Sequence, residues 1–96
     1  YALMFKALAD ETRLKIVCQL RGGEELCACD ILDNLNITQP TLSHHMKTLT
    51  ESGLVNGRKD ANWMKYTINA ARVDEMQLFL GGLKAKPETS GQSGNC

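Results

Sequence analysis

An excess of charge of either sign is missing from this chain: 11 Lys and Arg stand against 11 Asp and Glu in 96 residues. That balance argues against a protein that holds nucleic acid through bulk positive charge. No stretch resembles a signal peptide or a membrane span, so a soluble, cytoplasmic protein with no membrane partner is expected. No nucleophile stands with its base, and no glycine-rich phosphate loop or pair of carboxylates occurs at useful spacing, which puts an enzyme far behind other classes. Internal repeats are absent. An initiator Met is missing too: the chain opens on Tyr1, and N-terminal residues are expected to have been lost. A chain of 96 residues makes one domain with one modest core, which dimerisation would help.

What is present is an uneven distribution. Residues 24–33 hold Glu24, Glu25, Asp30 and Asp33 with no Lys or Arg. Residues 38–68 hold Lys47, Arg58, Lys59 and Lys65 against Glu51 and Asp60, with His44 and His45 besides. The second half can face phosphate while the acidic segment faces away or faces a cation. Four cysteines in a cytosolic chain point to metal or redox chemistry more than to structural disulfides.

Residues 38–53 organise the rest. Thr38 suits an N-cap, Pro40 the first helical turn, and Gly53 the left-handed residue after the last turn. Leu42, Met46 and Leu49 recur at helical spacing and predict one buried stripe. The opposite face carries side chains that donate or accept hydrogen bonds, a composition suited to the major groove of DNA. The DNA-facing set is Thr38, Gln39, Thr41, Ser43, His44, His45 and Lys47. His44 and His45 are adjacent on a helix and point in different directions, one to DNA and the other to a phosphate or to the helix beneath.

The flanking segments fit this centre. Residues 1–9 predict an apolar helix that packs outside its own hairpin, naturally on a partner subunit. Asp10 reads as the N-cap of a helix from Glu11 to about Arg21, with Leu14, Val17 and Cys18 inward, stopped by Gly22 and Gly23. Cys29 to Leu35 predicts a short helix, which with residues 38–53 makes a helix-turn-helix. Residues 54–59 and 63–68 bracket Asp60-Ala61-Asn62 and predict a β-hairpin, the wing of a winged helix. Arg58 and Lys59 near its tip would reach backbone phosphates. Trp63 and Tyr66 read as wing-to-core packing. A last helix is expected from about Ala71 to Leu83, with Val73, Met76, Leu80 and Leu83 apolar, and residues 85–96 as a flexible tail. Residues 1–84 are thus expected to form the DNA-binding domain.

Three stretches resemble the ArsR/SmtB metalloregulatory repressors: "FKALADETRLKIV" (5–17), "TQPTLSHHMKTLTESGLV" (38–55) and "ELCACD" (25–30), the last similar to the inducer motif of arsenic-responsive members. The resemblance implies a mainly α winged helix-turn-helix with about five helices and a two-stranded wing. It implies a homodimer paired through the first and last helices, on operator DNA that it leaves when a toxic metal or metalloid binds. No cofactor is then needed for DNA binding. It also implies Cys27 and Cys29 as metal ligands, although the family's third cysteine is replaced by Leu32. Cys96 is the candidate third ligand, with Cys18 behind it as a small core hydrophobe by preference. Two residues apart, both thiolates reach one ion only if Cys27 precedes the helix or its first turn distorts. Soft thiolates select thiophilic inducers: As(III), Sb(III), and Cd(II) or Pb(II). An organoarsenical needs only two sulfurs. The last helix offers Asp74 and Glu75 without a His, against a zinc site there. The alternative function is a thiol redox or persulfide-responsive repressor of the same fold, since Cys18 sits in "KIVCQL".

Overall fold

The computed structural model describes residues 1–84. Its elements run α1 (Ala2–Leu8), α2 (Glu11–Gln19), β1 (Leu26–Cys27), α3 (Ala28–Asp33), α4 (Gln39–Glu51), β2 (Val55–Asp60), β3 (Trp63–Ile68) and α5 (Ala70–Lys84), with a single 3-10 turn at Arg21–Gly23. The expected tail and Cys96 lie outside the described residues. Among these, no helix is long and apolar enough to cross a membrane.

Local chemistry sets the boundaries. The Asp10 carboxylate accepts the Arg13 backbone N–H at 3.0 Å and starts α2, and that bond holds the carboxyl below its ordinary value of 3.8. Thr38 caps α4 by accepting from the Thr41 N–H at 3.4 Å. The Asn69 side chain accepts the Arg72 N–H at the start of α5. Gly53, at φ 88°, takes the left-handed turn that ends α4 and sends the chain into the wing.

The core gathers one stripe from each element: Met4 and Ala7, Ile16 and Leu20, Ile31, then Leu42, Met46 and Leu49, closed by Leu54, Val55, Tyr66 and Met76. Tyr66 pairs in register with Gly57, where a Cβ would stand 3.0 Å from the tyrosine ring. Glycine there lets the ring lie across the neighbouring strand.

Three expectations change. The sheet has three strands in the order β1-β3-β2, because Leu26 and Cys27 pair with Tyr66 and Lys65 along the outer edge of the hairpin. Leu14 and Cys18 face out of α2. Ile16 and Leu20 hold the inner face, about 200° around the helix from that pair. Trp63 is 55% exposed and only Tyr66 packs inward. On α5, Met76 alone is buried, while Val73, Leu78, Leu80 and Leu83 stay exposed within the single chain, as does Leu3 on α1. The two helices meet through rings: Phe79 stacks on Tyr1 at 4.8 Å and touches Phe5 at 5.9 Å.

Candidate nucleic-acid interface and thiol site

The buried stripe of α4 fixes what its other side offers. Gln39, Thr41, Ser43, His44 and Lys47 are exposed, and Thr38 sits at the exposed N-terminus with its hydroxyl 3.0 Å from that of Thr41. These six form one polar surface. His45 departs from it. Its ring is half-buried, and the Arg13 guanidinium reaches its Nδ1 at 3.1 Å while also donating to the Ala7 carbonyl at 2.7 Å. Arginine can only donate, so Nδ1 accepts. His45 therefore ties α4 to α2, the helix beneath.

The wing departs from expectation as well. Arg58 stands opposite Lys65 within the strands, with the turn at Ala61 and Asn62 beyond it. Its guanidinium is taken by Glu25 through two bonds, Nε at 2.7 Å and Nη2 at 2.9 Å. Asp60 lies 3.8 Å from Arg58 and 3.1 Å from Lys65. Lys59 is exposed and makes no ion pair among the described residues. The hydrogen bonds from Arg58 hold the Glu25 carboxyl below its ordinary value of 4.5 and raise Arg58 in turn. A depressed carboxyl stabilises the fold above its ordinary value, and that contribution is lost as pH falls through the lower folded value. This pair joins residues 33 positions apart, a separation at which no sequence pattern announces it.

The cysteines come together at the junction of β1 and α3. Cys27 is the last residue of β1 and the N-cap of α3, with extended φ −81° and ψ 161°. Its Sγ accepts the Asp30 N–H at 3.4 Å, and the Asp30 carboxylate accepts the Cys27 N–H at 3.4 Å, a reciprocal cap with sulfur in the hydroxyl's place. Because Cys27 precedes the helix, its sulfur folds back over the first turn and meets that of Cys29. The two are joined as a disulfide, with Cα atoms 5.3 Å apart. Of the two routes by which both sulfurs could serve one ion, the fold takes the first, and α3 begins regularly. Sulfur and carboxylate oxygen of Cys27, Cys29 and Asp30 lie within 4.8 Å of one another. No other group of three such residues occurs among the described residues, so Cys18 does not join the pair within one chain. The sequence reading named Asp30 only within the acidic segment and not beside the cysteines; its position three residues after a capping residue was the available signal.

Beside the pair, between α3, α4 and the wing, lies a cavity of about 280 Å³ that reaches Cys29 and Trp63.

Comparisons with known proteins agree with this geometry. The model of the family described as "Bacterial regulatory protein, arsR family" matches residues 10–57. The chain is 48% identical over 73 residues to the arsenical resistance operon repressor of Staphylococcus aureus, spanning 76% of this chain and 69% of that protein. It is 41% identical over 84 residues to the cadmium resistance transcriptional regulatory protein CadC of Listeria innocua, spanning 88% and 69%. HlyU from Vibrio cholerae superposes with a TM-score of 0.71 at 35% identity, over 88% of this chain and 91% of that one.

Proposed function

The chain belongs to the arsR family of bacterial regulatory proteins, DNA-binding transcriptional regulators rather than enzymes, and from that footing we propose that it represses an operator and releases it when trivalent arsenic or a related soft ion binds Cys27 and Cys29. The observation that carries this reading is the meeting of two sulfurs at a strand end and helix cap, one residue from the acidic side chain of Asp30. Gln39, Ser43 and His44 enter the major groove, with Thr38, Thr41 and Lys47 along the strand backbone and Lys59 on a phosphate. Two chains pair through α1 and α5, whose exposed leucines would then be covered.

Coupling follows from the position of Cys27. Its sulfur is the cap of α3, and its backbone is paired with Lys65 of the wing. Arsenic bonded to both thiolates of the reduced pair takes up sulfur lone pairs, which weakens the cap and moves β1. That movement passes to α4 through the shared core at Ile31 and Leu42 and to the wing through β3. Effector coupling of this kind typically amounts to ~1–3 kcal/mol.

Titration of arsenite against the operator-bound, reduced protein is expected to release DNA, and a persulfide donor is expected to leave the complex intact. Release by the persulfide alone would favour the thiol redox alternative. One observation supports that second reading: the same two sulfurs are joined here. Two thiols yield two protons and two electrons to a peroxide, forming the disulfide and water, and the oxidised protein would then be blind to arsenic.

Glu25 has a separate role. It neutralises the wing's Arg58 and belongs to the acidic segment of residues 24–33. Glu25→Gln is expected to tighten operator binding and to steepen the slope of log affinity against log salt by about one, because one more guanidinium displaces counterions. Binding isotherms across about 50–200 mM salt measure this. An unchanged slope would mean that Arg58 reaches no phosphate.

A further inference from the structure

We infer that Arg13 positions the reading helix α4 through the His45 ring, and that only a neutral ring completes the contact, so operator binding weakens as acid protonates His45. The inference rests on α4 as the DNA reader and goes beyond that reading by naming what holds the helix at its working angle.

Three observations carry it. The first is the reach of one side chain. The Arg13 backbone N–H is fixed by Asp10 at 3.0 Å, and its guanidinium then joins three helices. Nε donates to the Ala7 carbonyl at 2.7 Å and Nη2 to the Lys6 carbonyl at 3.5 Å, both at the end of α1, while Nη1 reaches His45 Nδ1 at 3.1 Å. The planar fork is held by α1 and cannot follow the ring if α4 turns. The second is the scarcity of other directional contacts. Among the described residues, this is the one hydrogen bond that joins α4 to another helix; its threonines bond within α4 and its cap. The rest of that packing is Leu42, Met46 and Leu49 in the core, and apolar burial has no preferred direction. The third is position. His45 lies mid-helix, and His44 beside it stands on the exposed reading face, with ring centroids 5.9 Å apart. A turn of α4 at His45 therefore moves the reading side chains, and a hydrogen bond to a base edge weakens steeply once its angle is spoiled.

Protonation removes the contact outright. In the neutral ring Nδ1 accepts and the proton sits on Nε2. In the imidazolium both nitrogens carry N–H, and Arg13 offers only donors. Two cations then face each other where a hydrogen bond stood. Other charged groups lie on all three helices. Asp10 of α2, whose carboxyl is held low first by the Arg13 N–H, also feels the His45 charge. Lys6 of α1 and Glu51 of α4 line a cavity of about 290 Å³ together with Arg13. Asp10 offsets part of the repulsion but gives Arg13 no acceptor on α4, so the helix loses its seat. His44, exposed on the reading face, has the opposite sign: as a cation it would hold phosphate more tightly.

The test follows binding of the reduced full chain to a labelled duplex, selected by this chain from random sequence, by anisotropy from about pH 8 to 5.5, where histidine changes charge. The unaltered protein is expected to bind about ten-fold more weakly at the acid end, the size of one hydrogen bond to a charged group. His45→Asn puts an oxygen where Nδ1 stood and does not titrate. It is expected to keep the alkaline affinity within about three-fold and to lose the acid fall. His45→Leu has no acceptor and is expected to bind about ten-fold more weakly at the alkaline end, with a flat profile. His44→Gln is expected to keep the fall. A fall that persists in His45→Asn, a rise in the unaltered protein, or full alkaline affinity in His45→Leu overturns the inference; the Asn variant decides alone if the Leu variant folds poorly. Failure of the underlying reading looks different: Ser43→Ala and Lys47→Ala would leave affinity and sequence preference unchanged at the alkaline end.

Discussion

Cys27→Ser and Cys29→Ser are each expected to bind the operator as the unaltered chain does and to lose release by trivalent arsenic. The ~5–150-fold fall in operator affinity that one effector typically produces would vanish in both. Two physical facts separate binding from release. Serine is among the best N-cap residues, so Cys27→Ser keeps the bond to the Asp30 N–H and with it the start of α3. A serine hydroxyl also stays protonated near neutral pH and is a hard oxygen, a poor partner for a soft centre. Neither residue belongs to the exposed face of α4. Anisotropy of labelled operator at rising arsenite checks the outcome, and normal release by both variants would remove the thiol pair from the mechanism. Truncation after Lys84 asks separately whether Cys96 assists; equal arsenite response with and without residues 85–96 would make it a bystander.

Assembly carries the other large effect. Leu80→Lys combined with Leu83→Lys is expected to give a monomer whose operator affinity is lower by about 10²–10⁴, the range over which joining two weak contacts multiplies binding. Both side chains lie more than half exposed on the single chain, at 51% and 63%, so lysine there disturbs no packed core. In a pair joined through α1 and α5, the same lysines would be buried without partners. Each dimer would then span two half-sites one helical turn, ~34–36 Å, apart. Sedimentation at micromolar concentration together with operator titration decides it. A variant that remains dimeric, or a monomer that binds the full operator as tightly, would place the interface elsewhere.

Much of the fold was legible because its boundaries are set by short-range chemistry. Asp10, Thr38 and Asn69 each precede a helix and each side chain accepts a backbone N–H, so the predicted starts agree with the fold to within one residue. Leu42, Met46 and Leu49 declared the inner face of α4 by their spacing alone. The two-residue β1 did not show itself, since two residues carry no period; its pairing depends on β3, forty positions away. On α2 the sequence reading turned Leu14, Val17 and Cys18 inward, whereas Ile16 and Leu20 are the buried pair, a choice made by packing against other elements. The cysteine pair was legible as a motif. The cavity beside it was not, because Leu32, Leu42 and Trp63 come from three separate elements.

The strand order also bears on how this protein avoids its own copies in the wrong way. A bare hairpin has two open edges, each able to recruit a stray strand. Here β1 occupies the β3 side, and with two residues it is too short to template much further growth. The open side of β2 runs through Arg58, Lys59 and Asp60, three consecutive charges. An incoming strand would have to bury them. The wing is thereby guarded against edge-to-edge aggregation by its own charged residues.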